Sequence, residues 1–389
     1  MSDRLVNVIV ARGHVATPWE LRQWDALPER FSVSWLRTSG NTFDAGAQRA
    51  RAVPVRTVRD LLPRQLLGGA VARVLGDRYL RLDDALGGAD VLHAEELSFW
   101  FAADVARAGA RLRVPVVQTV WETLPMLDAY RTPHARRFRS TVLRHTDLFL
   151  AATERARHAL LLEGVDEDRI EVSPPGIDVA RFRAAGAAFT PSEHLVVSPG
   201  RLVWAKGHHD VLRAVAALRR GVIAGDPPRV LIVGAGPEEG RLRAHADELG
   251  IGDLVEIAAV AYDEMPGTLA RASCMVLASL PSAGAALHPL GVPRVFWEEQ
   301  FGYVLAEAMA TGLHVLAADS GAIPEVVGAG ATLFPPGDWV GLARALAEGP
   351  LARDPGERVE PDPARLDAWS LPAAGARLAA AYDRVLAAG

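Results

Sequence analysis

Short apolar runs rich in β-branched residues alternate along the chain with longer stretches whose apolar positions recur every three or four residues. Runs of the first kind predict strands at 5–11, 31–36, 53–58, 90–95, 114–121, 147–153 and 169–176. A second series follows at 194–200, 229–236, 254–261, 274–280, 314–320 and 331–337. Helical patterns lie between them, among them 97–110 and 134–145. Strictly alternating strand and helix signals build βαβ units, and therefore parallel sheets with helices on both faces. Two series separated by a break predict two doubly wound, Rossmann-like α/β domains. A (β/α)₈ barrel would need eight evenly spaced units, which the break denies it.

The break falls at about 180–193, where small and polar residues dominate. We read it as the linker between an N-terminal domain, 1–184, and a C-terminal domain, 194–370. Residues 371–389 form a final helix placed to pack back across the domains. Residues 281–295 carry too many small residues and prolines for a helix and read as a loop.

Composition refines this picture. A chain of 389 residues, half of them apolar, suits two cores of about 150–200 residues each. No apolar run reaches the roughly 18 residues of a membrane span, and the N-terminus lacks the charged start and long apolar centre of a signal peptide. A single cysteine, Cys274, excludes an internal disulfide and a cysteine-built zinc site. The expected location is the cytoplasm, with the basic run 131–145 a candidate for contact with the inner face of a membrane or with a phosphorylated acceptor; the solvated face of a helix is the plainer reading. A net charge of −5 gives no reason to expect nucleic acid as a partner. Among 42 Lys and Arg residues only Lys206 is lysine, which makes it a candidate for a task arginine does not perform, with chance survival in an arginine-rich composition the plainer alternative.

Lys206 lies in the first chemically suggestive string, SPGRLVWAKGHH, at 198–209. A strand ends at Gly200, Arg201 and Lys206 follow, and a helix begins after Gly207. Two cations thereby reach the C-terminal edge of a parallel sheet, where doubly wound folds bind ligands; a fork and a point charge both suit phosphate oxygens. The second string is WEEQFGYVLAEAMATG, at 297–312. Phe301-Gly302 opens a helix on which Tyr303 and Glu307 share a face. The N–H groups of Gly302, Tyr303 and Val304 at the helix start suit phosphate, while Glu299 and Glu307 can accept hydrogen bonds from sugar hydroxyls.

R-x4-K-G, a later strand ending in G-x-G, and E-x7-E within E-x-F-G-x4-E-A-x-A-x-G together resemble the family 4 retaining glycosyltransferases of the GT-B fold. The resemblance covers about 145–345 well, including PPGID at 174–178, and the first domain loosely. It implies two Rossmann-like domains facing across a cleft, a nucleotide-diphosphate sugar as donor, a hydroxyl acceptor such as a glycan, lipid or natural product, no metal and no other cofactor. It assigns the donor diphosphate to Arg201 and Lys206 beside Gly200, the ribose to Glu307, and the donor sugar to Glu299. The Phe301–Val304 backbone would support the phosphates, and Gly234, Gly236, Val260 and Tyr262 would line the base pocket. A sugar-nucleotide epimerase or phosphorylase of the same architecture, or a non-catalytic binder, remains an alternative reading of the residues.

The first domain departs from the family pattern. A paired-glycine loop is reduced to Gly13 with His14 beside it, and the string TVWETLP puts Trp121 and Glu122 where a histidine is usual. Gly13 is a donor-side candidate through its backbone; His14, His93, Trp121 and Glu122 are the acceptor-side candidates, and Trp19, Trp24 and Trp121 are candidates for stacking on an acceptor. Two decoys are set aside. Asp166-Glu167-Asp168 precedes a strand instead of following one, and GAGPEEG has Glu239 where a dinucleotide fingerprint needs its third glycine.

Overall fold

The computed structural model describes residues 4–41, 49–61, 77–127, 133–283 and 295–388. It divides into two compact units, Met1–Gly176 with Leu371–Gly389, and Ile177–Ser370.

The first unit is a seven-stranded sheet of β1 (Val6–Ala11), β2 (Phe31–Arg37), β3 (Arg51–Pro54), β4 (Val91–Glu95), β5 (Val116–Val120), β6 (Leu148–Ala151) and β7 (Ile170–Val172). The order is β3-β2-β1-β4-β5-β6-β7 and every pairing is parallel. Successive side chains of a strand enter opposite faces, so Ile9 joins one core with Leu92, Phe101 and Phe149, while Val8 and Val10 join another with Trp24, Phe31 and Tyr382. Helix Trp100–Leu112 covers the first face. Helices Pro18–Asp25 and Leu371–Ala388 cover the second, where the Trp24 indole donates to the Tyr382 hydroxyl at 2.8 Å. The C-terminal helix thus completes the core of the first unit.

The second unit holds β8 (Leu195–Pro199), β9 (Arg229–Val233), β10 (Val255–Ala258), β11 (Cys274–Leu277), β14 (His314–Ala318) and β15 (Thr332–Phe334). Their order, β10-β9-β8-β11-β14-β15, is again wholly parallel. In chain order within the unit this is the 3-2-1-4-5-6 arrangement, whose ligand crevice opens between the first and fourth strands. A short antiparallel pair, β12 (Ser282–Ala283) with β13 (Val295–Trp297), flanks the expected loop at 281–295, most of which lies outside the described residues.

The segment expected to link the domains is a helix, Val179–Ala188, belonging to the second unit. Asp178 caps it by accepting from the Arg181 N–H at 3.2 Å. Its small residues serve packing: a Cβ on Gly186 would collide with the carbonyl of Thr311 on helix Tyr303–Thr311. The division falls after Gly176, ahead of the expected 184, because a run of alanine and glycine is as compatible with a close helix–helix contact as with a linker.

Candidate active site

The crevice of the second unit is built from the loops after β8 and β11. Gly207, at φ 66°, presses the Arg201–Lys206 loop against the end of β11, where a Cβ would strike the Ala278 carbonyl. Lys206 Nζ then donates to Glu299 Oε2 at 2.6 Å, and the Ser279 hydroxyl donates to the same oxygen at 2.7 Å. The ammonium also lies 4.7 Å from the Trp297 ring centroid, a cation–π contact. Glu299 is 6 % exposed, and its carbonyl accepts from Ala322 N at 2.8 Å, which ties it to the loop after β14. His208 fastens the loop from beneath: its Nε2 faces the Arg201 carbonyl at 3.3 Å and its Nδ1 the Ser198 hydroxyl at 2.9 Å. Burial holds this imidazole down at about 4, so it is neutral, donating from Nε2 and accepting at Nδ1.

Three residues beyond Glu299, Gly302 at φ 74° turns the chain into helix Tyr303–Thr311, which no side chain caps. The first N–H groups of such a helix have no partner within it and carry the positive end of its dipole. Glu307 sits one turn further on, 3 % exposed. Burial pushes its carboxyl up to about 7, against a hydrogen bond from Tyr262 and the more remote Arg181. Its Oε1 is buried with no hydrogen-bond partner, an arrangement that costs on the order of 1–3 kcal/mol unless a ligand completes it. The loops after β8 and β9 are laced together, Gly200 N to Val233 O at 2.9 Å and Leu202 N to Ala235 O at 3.0 Å. Side chains on Gly234 or Gly236 would collide with the Gly200 and Leu202 carbonyls. Val260 and Tyr262, both partly exposed, follow β10 in the same crevice edge.

The first unit has its own switch point, between β1 and β4. Arg12, just past β1, pairs with Glu20 and with the fully buried Glu95. Glu95 also accepts from the Trp121 indole at 2.8 Å. Gly13 lies against Phe101 and donates to the Tyr79 hydroxyl at 3.2 Å. His14 is held between Thr38 and Asp77, each at 2.7 Å. Glu122 accepts from the N–H groups of Thr123 and Leu124, at 3.0 and 2.9 Å, and so shapes its own turn. Further out, His134, Arg137 and Phe138 of helix Pro133–His145 line a cavity of about 780 Å³ with Arg78 and Arg81.

Two family models match the chain in succession: Glycosyltransferase Family 4 over residues 23–181 and Glycosyl transferases group 1 over residues 184–354. The chain belongs to the family 4 glycosyltransferases. The chain is 32% identical over 264 residues to a D-inositol 3-phosphate glycosyltransferase of Nocardia farcinica, an alignment that spans 62% of the chain and 54% of that relative. D-inositol 3-phosphate glycosyltransferase 1 of Catenulispora acidiphila is 28% identical over 368 residues, 86% of this chain and 80% of that one. The fold matches that of Anabaena HepE in complex with UDP-glucose, with a TM-score of 0.70 at 18% identity over 97% of this chain and 99% of HepE. It also matches sucrose-phosphate synthase from Thermosynechococcus elongatus, with a TM-score of 0.69 at 18% identity over 99% and 100%. These are GT-B proteins, and the two parallel-sheet units of the chain have that fold.

Most donor-side residues expected from the sequence gather at one sheet edge of the second unit; the acceptor-side set divides. His93 is fully buried, with Nδ1 at 2.7 Å from the Tyr382 hydroxyl and Nε2 at 2.8 Å from that of Thr119. Burial drives it down to about 3, and a neutral ring with both nitrogens engaged is a core residue, not a wall of an acceptor site. Trp24 is likewise core, bonded to Tyr382. Trp121 is buried against Glu95, so neither indole offers the stacking face expected of it. Sequence reasoning missed Arg12, Glu95, Glu96 and Ser279. The signal lay in polar residues at the ends of apolar strands: an acid pair of which Glu95 closes β4 and Glu96 follows it, and a serine two positions after β11. No helix of the described residues is long and apolar enough to cross a membrane.

Proposed function

We propose that the transferase moves a sugar from a nucleotide-diphosphate donor to a hydroxyl acceptor with retention of anomeric configuration. The observation that carries this reading is the Lys206–Glu299–Ser279 cluster at the switch edge of the second sheet, beside the unpartnered oxygen of Glu307. In it, Lys206, Arg201 and the uncapped helix start stabilise the charge that develops on the leaving diphosphate, so the reaction needs no metal. Glu307 accepts the ribose hydroxyls, which satisfies Oε1. Glu299, held by Lys206 and Ser279, orients a hydroxyl of the donor sugar. The Phe301–Val304 backbone supports the phosphates, and Gly234, Gly236, Val260 and Tyr262 shape the base pocket. No carboxylate acts as a covalent nucleophile; the acceptor attacks from the face the diphosphate leaves.

A uridine or guanosine nucleotide is the favoured donor. HepE was solved with UDP-glucose, and a Mycobacterium tuberculosis relative, 35% identical over 167 residues, is a GDP-mannose-dependent mannosyltransferase. Relatives that act on D-inositol 3-phosphate make a polyhydroxylated acceptor the first to try. The test is proton NMR of the product formed from UDP-glucose or GDP-mannose with D-inositol 3-phosphate or methyl α-mannoside as acceptor. An α-linked product supports retention, and a β-linked product contradicts it.

A further inference from the structure

Glu96 in the first unit has no part in the donor chemistry proposed for the second. Glu96 follows β4 at the sheet's switch point and adopts φ 67°, left-handed backbone that a residue with a side chain enters at a cost. The conformation is fixed from several sides. Glu96 N donates to the Thr119 carbonyl at 2.8 Å, and the amide of fully buried Gln118 donates to the Glu96 carbonyl at 2.6 Å. Its Oε1 accepts from Trp121 N at 3.2 Å. A buried glutamine spent on one carbonyl, and a strained residue at the edge where doubly wound sheets bind ligands, describe a carboxyl that is aimed. Glu95 beside it is closed off by Arg12 and Trp121, whereas Glu96 remains partly exposed.

We propose that Glu96 is an acceptor-binding residue, whose carboxylate receives a hydrogen bond from a hydroxyl of the acceptor. This rests on the transferase reading and deepens it by placing recognition of a hydroxylated acceptor on the residue that follows β4. The groups facing the carboxyl are Glu122 on the loop after β5, Arg12 on the loop after β1, and the backbone N–H groups of Trp121 and Glu122. Burial, and then the like charge of Glu122, push Glu96 up to about 8, against the lowering effect of the N–H groups and Arg12. Near neutral pH the carboxyl is therefore mostly protonated, and the accepting form grows in as pH rises through about 8.

The test is acceptor kcat/KM between pH 6.5 and 9.5 for wild type, Glu96→Gln and Glu122→Gln, with D-inositol 3-phosphate and methyl α-mannoside as probes and the donor saturating. The Glu96→Gln side chain keeps an acceptor oxygen for the Trp121 N–H but never ionises. Wild-type kcat/KM is expected to rise through about pH 8, with Glu96→Gln flat at the low-pH level, roughly tenfold to a hundredfold below wild type at pH 9.5, its donor KM unchanged. Glu122→Gln should move the wild-type rise to lower pH, an effect a loop-bracing role for Glu96 would not produce. A Glu96→Gln profile that follows the wild type overturns the assignment and leaves the donor site standing. Thermal unfolding unmoved by UDP and by GDP would overturn both.

Discussion

At the scale of single residues, the second unit concentrates unfavourable electrostatics where a ligand would relieve them. Glu307 is the clearest case. Its carboxyl titrates near 7 in the folded protein against 4.5 for the unpaired group, so the folded state binds its proton more tightly. Stability from this group is therefore complete below about pH 4.5 and is lost as pH rises through about 7. Without nucleotide, Glu307→Gln should be more stable than wild type at pH 8 and indistinguishable from it at pH 4.5, as thermal unfolding across that range would reveal. Affinity for nucleotide should run the other way, rising through pH 7 as the carboxylate forms. Lys206 and Glu299 form a nearly buried pair, and removing one partner leaves the other uncompensated. Lys206→Ala should thus cost on the order of 3 kcal/mol in denaturant unfolding besides abolishing transfer. The lone lysine, the two glutamates and Gly302 were legible in the sequence because motif spacing fixes them to a strand end and a helix start. Glu96 was not, since nothing in a Glu-Glu pair announces which member is sealed by an arginine and which is held in left-handed backbone.

Among the elements, helix Tyr303–Thr311 depends on its neighbour Val179–Ala188, and Gly186 sets their separation. Gly186→Ala should force the helices apart at a cost of roughly 1–3 kcal/mol. Because Glu307 rides on the displaced helix, nucleotide affinity should fall as well, measurable by calorimetric titration of UDP or GDP. The C-terminal helix Leu371–Ala388 buries Leu378, Tyr382 and Val385 in the core that holds Trp24 and Phe31. Truncation before Leu371 should therefore unfold the first unit, with loss of its near-ultraviolet circular dichroism, and leave a cooperative transition from the second. Strands were readable as apolar runs because parallel strands covered on both faces carry little else. The helix at 179–188 was not, because its small residues report a close packing partner only once that partner is known.

For the whole molecule, two parallel sheets with matching switch points divide the work of the reaction as proposed: donor on the second unit, acceptor on the first. Both sheets follow from the βα rhythm of the sequence, and the fold was legible almost throughout. Placement of the C-terminal helix and of His93 was not, since each depends on a contact between residues hundreds of positions apart, Trp24 and His93 with Tyr382. The second unit, as proposed, is a nucleotide-diphosphate site built on Lys206. This is tested most directly by thermal unfolding of wild type and Lys206→Ala with UDP, GDP, ADP and TDP in turn, with and without EDTA. UDP or GDP at a hundredfold excess over its dissociation constant should stabilise wild type by about 2.7 kcal/mol, unaffected by EDTA, and Lys206→Ala should lose this stabilisation. Equal stabilisation of the two proteins, or none of either by any of the four nucleotides, would contradict it.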